Sequence, residues 1–280
     1  MNKFLILEKQ TVCPKVKQII VKAPRIAKKA QAGQFVSLIV NETGERIPLT
    51  MADWDSQQGT LTLIFQEVGK STALLGNLNP GDSIEHLAGP LGKPSEIENY
   101  GTVLIVGGGI GIAPIYPITK ALKAAGNKVI VILGARCADL LFWEDKFQPI
   151  TDELIICTDD GSKGVKGVIT VPIKQLLDER KESVQRMVAI GPAIMMKYAA
   201  LTAAERNIPS VVSLNSIMVD ATGMCGACRV EVGGETRFAC VDGPEFDGAK
   251  VNFEQLIDRQ KIYLPEEKLA YEQYQTKVGC

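Results

Sequence analysis

The stretch from Val103 to Pro114, VLIVGGGIGIAP, narrows the fold more than any other part of the chain. Four consecutive apolar residues, Val103 to Val106, mark a strand buried on both faces, because a half-exposed strand alternates apolar with polar. Glycines follow at 107–109 and 111, and PIYPITKALKAAG then reads as a helix that Gly126 stops. A glycine turn between a buried strand and a helix lets a phosphate approach the backbone, and the helix start offers free N–H groups and the positive end of a dipole. The usual dinucleotide spacing G-x-G-x-x-G fails, since its third position falls on Ile112 or Pro114. The pattern that fits is G-x-G-x-x-P, with Gly109, Gly111 and Pro114. A glycine-rich turn that only packs helix against strand is the competing reading.

Beyond the loop, strand and helix alternate. KVIVILGAR, ELIICTDDG and QRMVAIGP read as strands, DLLFWEDKF as a short helix, and ITVPIKQLLDE and AIMMKYAALTAAERN as helices. Such alternation predicts a parallel α/β sheet. Ligands bind an open sheet of this kind at its strand C-termini, so the turns Gly134-Ala135-Arg136 and Gly191-Pro192 lie on the binding edge. Arg136 stands where such domains often carry an acid for the ribose, and it suits a 2′-phosphate. Met195 and Met196 read as core. Upstream, residues 1–97 read as β structure. QIIVKAP, QFVSLIV and TLTLIFQEV are separated by NETGE, DSQQG and NPGD, which predicts a small barrel or sandwich.

The composition excludes several partners. The chain has 280 residues, 46% of them hydrophobic, enough for two compact cores. Its 31 Lys and Arg balance 32 Asp and Glu, leaving no basic field for nucleic acid or an anionic membrane. The apolar run in MNKFLILEKQ is shorter than the roughly 7–15 residues of a secretory leader. TVLIVGGGIGIAPIYPIT falls short of the roughly 20 residues that cross a bilayer. A soluble cytosolic protein is expected.

Three of the seven cysteines, Cys225, Cys228 and Cys240, fall within MVDATGMCGACRVEVGGETRFACVDG. The odd count and a reducing compartment argue against a disulfide framework. Cys13, Cys137, Cys157 and Cys280 are scattered and read as buried or idle thiols. Plant-type [2Fe–2S] proteins run C-x₄-C-x₂-C…C. Here the first position of that pattern is Asp220, giving D-x₄-C-x₂-C with Cys240 as the last member. A carboxylate brings the same single charge as a thiolate through a harder donor. Asp220, Cys225, Cys228 and Cys240 are therefore candidate metal ligands. Three sulfurs and an oxygen also suit structural zinc. Gly223 and Gly226 bracket Cys225, and backbone N–H groups in such loops point at cluster sulfurs.

Taken in order, a β-barrel, the G-x-G-x-x-P loop and Gly-Pro-x-x-Met-Met resemble the ferredoxin–NADP reductase superfamily. RIPLT, Arg46 to Thr50, resembles its first flavin motif, and GKST, Gly69 to Thr72, resembles its second, at a helix start. With the cysteine segment added, the resemblance narrows to the small subunits of NADH-dependent reduced-ferredoxin:NADP⁺ oxidoreductases, also described as sulfide dehydrogenase subunits. The electron-transfer subunits of dihydroorotate dehydrogenase are near relatives.

The resemblance implies an FAD-binding β-barrel over 1–97, an NAD(P)-binding α/β domain over 98–212 and a small irregular [2Fe–2S] module over 213–250. The tail, 251–280, is then a partner-docking arm or a frayed end. Arg46 is implied to pair with the FAD diphosphate. Pro48, Leu49 and Thr50 lie along the isoalloxazine, with Thr50 near N5 at the catalytic position. Gly69, Lys70, Ser71 and Thr72 cradle the diphosphate. Gly109, Gly111 and Pro114 shape the nicotinamide nucleotide site, and Gly191 and Pro192 border it. The resemblance favours NAD(H), while Arg136 leaves NADP(H) open.

The implied partner is a large flavoprotein subunit similar to the small subunit of glutamate synthase, with a second FAD and [4Fe–4S] clusters; the implied activity is flavin-based electron bifurcation. Hydride transfer asks for nicotinamide C4 held near flavin N5, with no nucleophile or acid from the protein. That suits a chain whose single histidine, His86, reads as a structural or surface residue. Dihydroorotate dehydrogenase subunits carry four cysteines, so Asp220 favours the first assignment. The alternatives are such a subunit, a stand-alone NAD(P)H reductase, and a zinc-stapled binding module without redox chemistry.

Overall fold

The computed structural model describes residues 4–278. Cys280 lies outside them. Residues 4–91 carry an antiparallel sheet of seven strands: β1 (Phe4–Cys13), β2 (Val16–Lys22), β3 (Phe35–Ile39), β4 (Arg46–Asp55), β5 (Thr60–Gln66), β6 (Ser83–Ile84) and β7 (His86–Leu91). Their order, β6-β1-β2-β5-β4-β3-β7, curls around an apolar interior. Ile19, Val21, Val36, Leu38, Met51, Leu61, Leu63 and Phe65 point inward and are almost wholly buried, as period-2 alternation requires. Two short helices serve the barrel, α1 (Pro24–Ala27) and α2 (Lys70–Asn77). His86 is exposed at the start of β7.

The second sheet is built on β8 (Thr102–Gly108), β9 (Lys128–Ala135), β10 (Glu153–Thr158), β11 (Val165–Lys166), β12 (Arg186–Ile190) and β13 (Ser210–Ser213), all parallel, in the order β11-β10-β9-β8-β12-β13. Val103 to Val106 on the central strand are fully buried, as their unbroken apolar run predicts. The helices are α3 (Ile112–Ala124), α4 (Glu144–Phe147), α5 (Thr170–Lys174), which continues into a π-helical turn over Gln175–Glu179, and α6 (Ala193–Ala204). Gly126, at φ +87°, takes the chain out of α3 in the left-handed conformation.

One core spans both sheets. Cys13, Val16, Ala52 and Ile64 from the barrel pack with Ile112, Ile115, Leu133, Trp143 and Phe147 from the α/β unit. Trp143 Nε1 donates to Gln18 Oε1 at 3.1 Å, and Lys120 meets Asp53 at 3.0 Å. Tyr116 packs edge-on to Trp143 and to Phe147, with ring centroids 5.2 and 5.4 Å away. An apolar core locks orientation better than exposed ion pairs, which contribute only about 0–1 kcal/mol each.

The cysteine segment carries a hairpin, β14 (Arg229–Val232) and β15 (Glu235–Phe238), turned by Gly233 and Gly234, both at positive φ. β16 (Glu245–Asp247) then leaves the segment and pairs antiparallel with β13, so the stretch assigned to a separate module adds the last strand of the nucleotide sheet. The tail divides in two. α7 (Phe253–Gln260) buries Phe253 and Leu256 in the α/β core, is capped by Asn252 accepting from the Gln255 amide at 3.0 Å, and reaches Ala227 O through Arg259. α8 (Leu264–Val278) lies on the barrel side, where Asn77 Nδ2 donates to Tyr274 Oη at 2.6 Å. The first half of the tail is part of the fold.

Barrel, linker and cysteine segment meet at Glu245. Ser95 donates its hydroxyl to Glu245 Oε1 at 2.5 Å, and the Ser95 amide donates to Ala32 O at 2.8 Å. Burial of the carboxyl head pushes its pKa up; the Ser95 bond and Arg186 oppose that, and Glu96 adds to it. The folded state then holds its proton at pH values where the unfolded chain, at about 4.3, has released it. Stability is lost as pH rises from that unfolded value through the raised folded one. Glu245→Gln, which keeps the Ser95 bond, should flatten this loss in urea midpoints measured from pH 4 to 8.

Candidate active site

A cleft of about 1110 Å³ runs between the two sheets. That exceeds the roughly 300–1,000 Å³ of a pocket for one drug-sized ligand, and suits a dinucleotide with a second nucleotide beside it. The barrel wall is β4. Thr50, Pro48 and Arg46 lie opposite Phe35, Ser37 and Ile39 in the β3–β4 ladder and share a face by period-2 alternation. Pro48 and Thr50 line the cleft; Leu49 borders it and also packs on the barrel core.

The start of α2 reaches the cleft through Val68 and Thr72. Gly69 is extended at φ −156°, and a Cβ there would meet nothing within 4 Å. Thr72 Oγ1 accepts the Val68 and Gly69 amides at 3.1 Å each. The first intrahelical bond runs from Ala73 N to Gly69 O, so the amides of Lys70, Ser71 and Thr72 have no intrahelical acceptor. Ser71 Oγ is bonded to Glu45 Oε2 at 3.1 Å. The result is an open, donor-rich cradle for an anion.

The second wall is the C-terminal edge of the parallel sheet. Gly109 (φ +56°) has open space where a Cβ would stand. Gly111 is packed so closely on Ile190 O that no side chain fits, which presses the loop onto β12. Gly109, Gly111, Pro114, Arg136, Gly191 and Pro192 line the cleft, whereas Arg46, Gly69, Lys70 and Ser71 are not among its lining residues. Met195 corrects the reading that both methionines are core. It packs against Gly108 and Gly191 and faces the cleft, whereas Met196 is fully buried. Cys13 and Cys157 also line the cleft. Burial pushes the Cys157 thiol up to about 11, the Asp159 charge adding to it, so it stays protonated.

Two stretches of the lining escape sequence reasoning. Asp159, just after β10, faces the cleft beside Arg136; its position at a strand C-terminus is the signal that marks it. Ser213 to Ser216 and Met218 form a wall that no motif announces. Among the described residues the buried Ser216 hydroxyl finds no hydrogen-bond partner, an orphan donor facing a cleft that a polar ligand edge would satisfy.

The cysteine loop adjoins this wall. Cys228 and Cys240 are buried, with sulfurs 3.2 Å apart, and Cys225 is exposed. Amides point at all three: Ala227 N at Cys225 Sγ (3.5 Å), Cys240 N at Cys228 Sγ (3.4 Å), and the Gly223 amide at Cys240. The loop achieves this with Ala221, Gly223 and Gly226 all at positive φ, an uncommon conformation for alanine. Asp220 accepts the Thr222 hydroxyl and amide; these bonds, the Met224 amide and the Arg46 charge hold its carboxyl below the usual range. Ala227, then Asp220 and Val219, lower the Cys225 thiol through their amides, while the Asp220 charge opposes them. Among the described residues no three His, Cys, Asp or Glu side chains converge as ligands of a single ion. Cys228 and Cys240 form a close sulfur pair, with Cys225 and Asp220 on the same loop. No helix among the described residues is long and apolar enough to cross a membrane.

Residues 215–252 match the model of the iron–sulfur cluster binding domain of dihydroorotate dehydrogenase B. A Thermotoga maritima protein described as a homolog of the dihydroorotate dehydrogenase B (NAD(+)) electron transfer subunit is 49% identical over 98% of this chain and 96% of its own length. The electron transfer subunit itself, from Desulforamulus reducens, is 34% identical over 89% of this chain and 97% of its own. A structure of NADH-dependent reduced ferredoxin-NADP oxidoreductase, described for insights into flavin-based electron bifurcation, aligns with a TM-score of 0.92 at 47% identity, covering 98% of both chains. A cytochrome P450 reductase from Amycolatopsis, at 21% identity and a TM-score of 0.62 over 74% of this chain and 66% of its own, shares the fold over that part. The chain belongs to the family of oxidoreductase electron-transfer subunits that includes those of dihydroorotate dehydrogenase B and of NADH-dependent reduced ferredoxin-NADP oxidoreductase, within the ferredoxin–NADP reductase superfamily.

Proposed function

We propose that this chain is the electron-transfer subunit of a bifurcating oxidoreductase linking NADH, NADP(H) and ferredoxin. One observation carries the reading: the strand face of β4, the start of α2 through Val68 and Thr72, and the C-terminal edge of the parallel sheet line a single cleft, with the cysteine loop against its wall. When bound, FAD accepts a hydride from a nicotinamide, and a [2Fe–2S] cluster exchanges electrons one at a time.

The chain's own residues bind and orient these groups. Arg46 meets the FAD diphosphate as a rigid fork of donors, and the free amides at Lys70, Ser71 and Thr72, beside the open Gly69, supply the rest of the cradle. Pro48, Leu49 and Thr50 border the flavin ring, and the Thr50 hydroxyl serves the ring nitrogen that takes the hydride. Gly109, Gly111 and Pro114 admit the nucleotide backbone, Gly191 and Pro192 border the nicotinamide, and Arg136 flanks the adenosine end. Asp220, Cys225, Cys228 and Cys240 would hold the [2Fe–2S] cluster. Three sulfurs and a carboxylate beside a flavin and nicotinamide cleft suit a one-electron carrier, which zinc is not.

We assign the partner as a large flavoprotein subunit similar to the small subunit of glutamate synthase, with its own FAD and [4Fe–4S] clusters. Asp220 in place of a fourth cysteine supports this choice, beside the 47% identity over 98% of both chains to the bifurcating enzyme. Stopped-flow mixing of the anaerobic protein should show flavin bleaching with NADH well ahead of NADPH, and affinity capture should return the large flavoprotein; capture of an orotate-forming subunit contradicts the assignment. Asp220→Ala should lose or alter the cluster's electron paramagnetic resonance signal while flavin content stays at the wild-type level. An unchanged signal removes Asp220 from the ligand set.

A further inference from the structure

Phe35 belongs to two environments. Its ring lines the cleft, and it packs in one buried group with Ala221, Cys228, Ala239 and Cys240. It sits directly opposite Thr50 in the β3–β4 ladder, so the two side chains share a face with Cβ atoms roughly 5 Å apart. The ring is 3% exposed, and its edge is held by a backbone that leaves no spare room. A Cβ on Gly92 would stand 2.9 Å from Phe35 Cε1 and 2.9 Å from Pro244 Cδ. Met218 repeats the pattern from the other side, lining the cleft while packing on the same buried group.

We propose that Phe35 and Met218 form a dry septum between the flavin cleft and the cluster, positioning residues that keep cleft water off the Cys228 and Cys240 sulfurs. This rests on the functional reading above, which puts FAD in the cleft and the cluster on the cysteine loop; neither residue is among the proposed ligands. An electron that reaches the cluster turns one ferric iron ferrous and adds one negative charge, and no atom has to cross the septum. A charge in a dry, apolar setting is less well solvated than one near water, so burial around the sulfurs holds the cluster potential down. The physical role of the pair is to keep that setting dry on the one side that opens to a wet cleft. An aromatic ring and a thioether suit it, since both fill irregular space without polar atoms.

The test uses the whole chain, purified anaerobically, as wild type, Phe35→Leu and Met218→Ala, with FAD and iron counted first. Two readouts follow: the cluster midpoint potential by redox titration followed by electron paramagnetic resonance, and deuterium modulation of the reduced-cluster signal in heavy water. Both variants should shift the potential in the positive direction and show stronger deuterium modulation. If Phe35→Leu sheds its flavin, Met218→Ala carries the measurement, because Met218 is only part-buried. A pair that merely packs would lower the unfolding midpoint and leave potential and modulation at wild-type values; that result overturns the septum. A wild-type chain without flavin or cluster overturns the functional reading instead.

Discussion

Five ladder positions between β3 and β4, from Phe35 opposite Thr50 to Ile39 opposite Arg46, fix the geometry on which the rest of the molecule depends. Because strand side chains alternate, this one piece of sheet serves two purposes. Val36, Leu38 and Met51 go into the barrel core and hold the strands in register; a slip of one residue would move them all to the wrong face. Arg46, Pro48 and Thr50 share the opposite face, and Pro48 and Thr50 line the cleft. Phe35 ends the row by packing on the two buried cysteines. The cleft-lining strand face and the cysteine loop are therefore tied to the same strand pair.

The shared core between barrel and α/β unit extends the same logic to the nucleotide. Hydride transfer is sensitive to sub-ångström placement, so the surfaces that present ring and nicotinamide have to hold a fixed relation. The packing of Trp143, Tyr116 and Phe147 against barrel residues supplies it, with the Trp143 to Gln18 bond fixing the indole. β16 and α7 do the same for the cysteine segment, returning to the nucleotide sheet and its helices. Three units thus form one rigid frame around one cleft, and chemistry that needs no protein acid or base is served by placement alone.

What the sequence discloses follows from how local each signal is. The buried strand, the glycine loop and the helix stop at Gly126 are encoded over a few residues and read directly. So is the D-x₄-C-x₂-C spacing, although the aim of backbone amides at its sulfurs comes from a loop with three positive-φ residues that only a backbone reveals. Met195 and Met196 are adjacent on a helix that is apolar on most sides, so periodicity has no means of sending one to the cleft and the other to the core. The tail reads as charged with spaced apolar residues; the burial of Phe253 and Leu256 depends on a surface built by distant α6 and β14. Phe35 looks like any strand phenylalanine until the cysteines fold onto it. The wall from Ser213 to Met218 has no motif because its role arises from where β13 ends.

The account stands on the claim that a flavin and a two-iron cluster occupy neighbouring sites on this one chain. The most direct measurement is a chemical count on anaerobically purified protein: FAD, iron, acid-labile sulfide and zinc per polypeptide, taken with the visible spectrum. The account predicts one FAD, two irons and two sulfides, with no stoichiometric zinc. A colourless protein holding zinc, with neither flavin nor labile sulfide, contradicts it.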